Sequence, residues 1–185
     1  MTALGSTERR EDGRTARIAA LAVVVGVTGG LVAALLISLI RLITHLAFEG
    51  RASLAPADPS QHHLGAVVIL IPIIGAALVS VMARWGSEAI RGHGIPEVMD
   101  RILHADSRIP AKLTILKPLS AAIAIGTGGP FGSEGPIIAT GGALGSLLGQ
   151  VLRVTADERK ILLAAGAAAG MAATFGTPVA AVLLA

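Results

Sequence analysis

Glu134 is the carboxylate with the most unusual surroundings in this sequence. It lies in Gly-Thr-Gly-Gly-Pro-Phe-Gly-Ser-Glu-Gly-Pro, residues 126–136, among five glycines and two prolines. Glycine lets another group approach the main chain closely, and Pro136 suits a first helical turn because its missing N–H would be unpaired there anyway. The stretch therefore reads as a broken helix, with a new helix beginning at Glu134–Pro136. A helix start with free N–H groups and a positive dipole end is an anion site, and this one already holds a carboxylate. A second stretch, Gly92-His93-Gly94-Ile95-Pro96-Glu97, has the same grammar of glycines, proline and helix. Two such elements can aim two helix starts at one point, making a dehydrated anion pocket. Its candidate lining is Gly92, His93, Gly94, Ile95 and Pro96 from one element, and Gly132, Ser133, Glu134, Gly135 and Pro136 from the other.

Two other chemistries use the same residues differently. An intramembrane enzyme could be built from Ser133, a histidine and Glu134, but Gly132-Ser133-Glu134-Gly135 lacks the Gly-x-Ser-x-Gly spacing of a nucleophile elbow. No Gly-Lys-Ser/Thr follows the glycines, which excludes a phosphate-binding P-loop. A membrane fragment that transports nothing is a third reading.

The elements that must position these residues are apolar helices. Of 185 residues, 53% are hydrophobic, 15% charged and 2% aromatic, and the mean hydropathy is +0.74. Such a chain is too apolar for a soluble domain of this size, and its Ala, Gly, Leu, Val and Ile suit helices packed closely in a bilayer. The absence of cysteine rules out disulfides and thiolate metal sites, and no metal or cofactor is implied. The net charge of +3 comes mainly from arginines flanking apolar runs, which is membrane topology and not a nucleic-acid surface.

Residues 1–17 read as a short cytoplasmic tail with four arginines. Residues 18–40 are uncharged and long enough to span a hydrocarbon core of about 30 Å, with the N-terminus inside by the positive-inside rule. A loop at 49–63 leads to a second uncharged run, 64–83, in which Pro72 is expected to introduce a kink. The polar stretch 84–110 falls on the side of the N-terminus. Lys117 and Pro118 interrupt the apolar segment 112–125, and Lys112 and Lys117 read as side chains snorkelling to the interface. Gly141, Gly145 and Gly149 lie on one helix face, where they let a neighbour approach. Thr155 and Glu158 form a capping-box pattern. Gly176-Thr177-Pro178 breaks the next helix. His45, His62, His63 and His104 read as surface or loop residues. The whole is an all-α, polytopic membrane protein with broken, re-entrant helices, ending inside an apolar run as a truncated chain would.

With these residues in view, the chain resembles the CLC family of chloride channels and proton-coupled chloride antiporters. Gly92–Glu97 is similar to the family's Gly-Ser-Gly-Ile-Pro-Glu element, Gly132–Pro136 to its Gly-Arg-Glu-Gly-Pro element, and residues 164–185 to its next helix, break and helix. The resemblance covers about residues 18–185, a transmembrane domain corresponding to the first of two inverted halves. It implies multi-pass residence in the plasma membrane, transport of chloride or a similar small anion, protons as a second partner, and a homodimer for the full-length protein. It implies that Glu134 is the gating glutamate, occupying the outer anion position until protonation removes its charge. His93 stands where the family has an anion-coordinating serine, and Ser133 where it often has arginine. The second half's pore tyrosine has no counterpart here, and the 185 residues alone are expected to carry no anion.

Overall fold

The structure, a computed structural model, describes residues 4–91, 94–104 and 106–184. Among them run seven α-helices and no strand: α1 (Leu4–Glu49), α2 (Leu70–Trp85), α3 (Ile95–His104), α4 (Ala111–Gly126), α5 (Glu134–Val151), α6 (Ala156–Phe175) and α7 (Pro178–Leu184).

α1 has 46 residues, about 69 Å at 1.5 Å per residue. The polar residues 4–17 therefore continue the apolar helix as one rod. Their Arg14 reaches the turn between α5 and α6: Nε donates to Glu158 Oε1 at 2.6 Å, and the guanidinium also donates to Thr155 Oγ1 at 3.2 Å. Val27, Leu31 and Leu35 form an exposed apolar stripe on α1 at four-residue spacing, and Ile69, Ile73 and Ile74 are exposed at the start of α2. Two helical segments, Gly13–Glu49 and Gly65–Trp85, are long and apolar enough to cross a membrane. Pro72 falls in the first turn of α2, directly after a 3-10 stretch at Gly65–Ile69. The break expected there is thus a change of helix type at a joint, where proline removes little helical bonding.

The packing centre is the α5–α6 pair, and α1 and α4 lean on it. The glycine face predicted on α5 is the contact. A side chain at Gly141 would overlap the Gly166 carbonyl, one at Gly145 the Leu162 carbonyl, and one at Gly166 the Gly141 carbonyl. The capping box forms: Thr155 N donates to Glu158 Oε2 at 2.8 Å and Glu158 N to Thr155 Oγ1 at 3.3 Å. α6 ends at Gly176 in the left-handed conformation (φ +63°), and Pro178 starts α7, which is the break expected. Ala33 and Leu36 of α1, Ala122 of α4 and Ile137 of α5 form one buried cluster. Val98 of α3, Ile109, Ala139 and Ala143 of α5 and Leu163 of α6 form another.

Candidate functional site

α5 begins at Glu134 itself, with Ser133 at the N-cap and no side-chain cap bond. The first turn of any helix leaves N–H groups without intrahelical acceptors, so Gly132–Pro136 is the helix start that the residues foretold. The approach to it is a wedge. Thr127, Gly128 and Gly129 donate back to the carbonyls of Ile123, Ile125 and Ala124 at 2.9–3.0 Å, closing α4. Gly126 then lies against Ile43 of α1, Gly128 (φ +86°) against Phe48 of α1, and Thr127 against Gly75 of α2. A side chain at Gly126 or Gly75 would overlap its neighbour and one at Gly128 would press on the Phe48 ring, so the loop is seated between α1 and α2.

The Glu134 side chain is half-buried and folds back over Gly132, where any added side chain would overlap its Oε2. Gly132 and Pro136 line a cavity of about 210 Å³ together with Arg91, Lys117, Ser120 and Phe131.

The first element meets the second. Gly94 is buried, has φ +91°, and its carbonyl accepts from Val98 N at 3.0 Å to open α3. A Cβ placed on Gly94 would stand 2.7 Å from Ala139 Cβ and 3.0 Å from the Gly135 carbonyl oxygen. The starts of α3 and α5 are therefore in backbone contact, and glycine is required at 94 for both conformation and space. Ile95 begins α3 and Pro96 follows in its first turn. Gly94, Pro96, Ala139 and Ala143 line a second cavity of about 400 Å³. Gly92 and His93 lie outside the described residues.

Lys117 corrects the reading from sequence. It does not snorkel: it is 7% exposed, its Nζ donates to the carbonyl of Ala89 at 3.2 Å, and the Ile90 carbonyl lies at 3.4 Å. It lines both cavities, the one beside Gly94 and Pro96 and the one beside Gly132 and Pro136. The signal was present, since an ionisable residue inside an apolar segment marks a functional site by default. Lys112 does reach outward, capping the end of α2 through the Gly86 carbonyl at 2.7 Å. His45, read as a surface residue, is 4% exposed. Among the described residues there is no cluster of three or more His, Cys, Asp or Glu that could hold a metal ion.

The family model described as voltage gated chloride channel matches residues 74–185. The H(+)/Cl(-) exchange transporter ClcA of Vibrio vulnificus is 33% identical over 171 residues, covering 88% of this chain and 34% of that protein. A putative chloride channel protein, ClcB-like, of Ralstonia nicotianae is 30% identical over 116 residues, 60% of this chain and 27% of that protein. The crystal structure of a slow cyanobacterial Cl-/H+ antiporter superimposes with a TM-score of 0.71 at 26% identity, over 91% of this chain and 39% of that one. These relatives are exchangers and channels, not enzymes, and the chain spans about a third of their length. An all-helical membrane chain with two broken helix starts in contact, matched by the family model over more than half its length, belongs to the voltage gated chloride channel (CLC) family.

Proposed function

We propose that this chain supplies one wall of the anion site of a membrane transporter for chloride or a similar small anion, with Glu134 as its protonatable gate. The observation that carries this reading is the contact of Gly94 with Gly135 and Ala139, which sets two helix N-termini side by side, with the Glu134 carboxylate folded over Gly132 at the start of α5. N–H groups at both starts would hold the anion. While Glu134 is ionised it competes for that place, and when protonated it gives the place up. The family resemblance puts His93 where serine is usual; a histidine N–H can donate as well, and the exchange would shift preference among small anions. Protons are thus a second partner, and passage by channel or by antiport both use this gate. The full-length protein is a plasma-membrane homodimer with the N-terminus of α1 in the cytoplasm.

The test is Glu134→Gln in the full-length protein, reconstituted in liposomes. Anion passage is expected to persist while the carboxylate's share of the pH response disappears. Loss of passage, in a parent whose flux never depended on acid, would make Glu134 structural. The 185 residues by themselves are expected to give no efflux, because they span only about a third of the length of the transporters and channels they match.

A further inference from the structure

His45 sits in the last turns of α1 with an acceptor near each ring nitrogen. Nε2 is 3.2 Å from the Ala55 carbonyl oxygen, and Nδ1 is 3.0 Å from Glu49 Oε1, one helical turn on. The side chain is 5% exposed, and Nδ1, buried from solvent, makes no hydrogen bond: Glu49 is its ion-pair neighbour only. A carbonyl and a carboxylate can only accept, and a neutral imidazole can donate from only one nitrogen. The neutral ring therefore keeps one contact and turns a lone pair toward the other acceptor. Only the imidazolium can donate to the Ala55 carbonyl and pair by charge with Glu49 at once, and then it ties the end of α1 to the loop that follows.

That end of α1 carries the seat of the gate loop. Ile43 packs on Gly126 and Phe48 on Gly128, so closely that a Cβ at either glycine would come within 2.8 Å and 3.1 Å of them. Residues 126–133, between those contacts and Glu134, hold no titratable side chain. We propose that His45 is a second proton-responsive element, distinct from Glu134, whose charge state sets how firmly α1 holds the loop that presents the gate. This rests on the transport reading above for its consequence, though not for its structure. The charged and titratable groups around His45 are Arg41 and Glu49 on its own helix, and Arg51, Asp58 and His62 on the following loop. Arg51 pairs with Glu49 at 2.7 Å, Asp58 accepts from Ser60 N and Oγ at 3.0 and 2.6 Å, and the His62 ring lies 6.1 Å from that of Phe48.

The experiment uses the full-length protein with Glu134→Gln as background, which removes the gate's own titration. Chloride efflux in that background is expected to keep a pH-dependent step of about fivefold, the lower end of ordinary coupling between sites. Adding His45→Gln or Glu49→Gln should flatten it. A Glu134→Gln profile that is already flat, or one unchanged by His45→Gln, overturns the proposal and leaves the role of Glu134 standing. A second readout does not need transport: ¹⁵N resonances of His45 in the intact protein, followed as the pH is lowered. Protons on both ring nitrogens, with one lost in Glu49→Gln, support the tie; a bare Nδ1 in the wild type overturns it even if no anion is carried.

Discussion

The two helix starts of the site rest on unequal supports. α5 is locked to α6 backbone against backbone: Gly141 on Gly166, Gly145 on Leu162, and Gly170 on Ile137, with no side chain between. The arm that carries α3 is held differently. Gly94 and Val98 touch α5, and the connector after α3 is fastened by polar side chains. Arg159 Nε donates to the Asp106 carbonyl at 2.9 Å, and buried Ser146 both donates to the Ser107 carbonyl and accepts from Ile109 N. Asp106 and Ser107 have positive φ, 47° and 56°, conformations that non-glycine residues seldom adopt. Close backbone packing fixes one wall, while polar ties and strained turns hold the other. Glu134, proposed above as the gate, is on the fixed wall.

This difference is broken most severely at Gly145. Gly145→Leu drives a side chain into the Leu162 carbonyl, a backbone atom that cannot step aside, and the cost is expected at or above the ~1–3 kcal/mol usual for overpacking. Loss of the monodisperse peak on size-exclusion chromatography in detergent would register it. Gly26→Ala in α1 is the control, because nothing lies within 4 Å of its Cβ position; that change should be neutral or stabilise the helix by about 0.5–1 kcal/mol. Gly94→Ala is the next largest. It adds the cost of a positive φ, of order 1–3 kcal/mol, to contacts with Ala139 and Gly135, but the arm can yield where α5–α6 cannot. The folded protein should survive with weakened anion binding, read by isothermal titration with chloride. If Gly94→Ala and Gly145→Leu unfold the protein alike, the two walls are not mechanically distinct.

What the residues disclosed in advance was local. Glycine at four-residue intervals identifies a close-packing face from one helix alone. Gly-x-Gly-x-Pro and the stretch around Glu134 announce breaks through backbone freedom and a missing N–H, and Thr155 with Glu158 is a cap within one turn. The misplaced residues depend on distant partners. Lys117 is buried because carbonyls at Ala89 and Ile90, 28 and 27 positions away, accept its protons. His45 is buried because the chain turns back to bring Ala55 over it. No periodicity carries such information. α1 outran its apolar run because Ala, Glu and Arg between residues 8 and 17 are good helix formers, and because Arg14 finds Glu158 at 144 positions' remove.

That last contact gives the smallest and most selective test, since at this edge α1 is tied to the fixed wall by charge in place of packing. The Arg14 guanidinium, followed by the Thr155 N–H, holds the Glu158 carboxyl at about 2, below its ordinary 4.5. A lowered folded-state value stabilises the fold at pH above the unfolded value, and that contribution fades as pH falls from about 4.5 through about 2. Glu158→Gln is the informative change because glutamine can still complete the capping box: it removes the charge and spares the cap. The variant is expected to melt slightly below the wild type at neutral pH, as befits an ion pair whose arginine is 58% exposed. The gap should close as the pH is lowered through that window, and added salt should narrow it at neutral pH. A gap that stays constant in acid would mean that the side chain acts through its cap alone, and that α1 is held to α6 by apolar packing without help from Arg14.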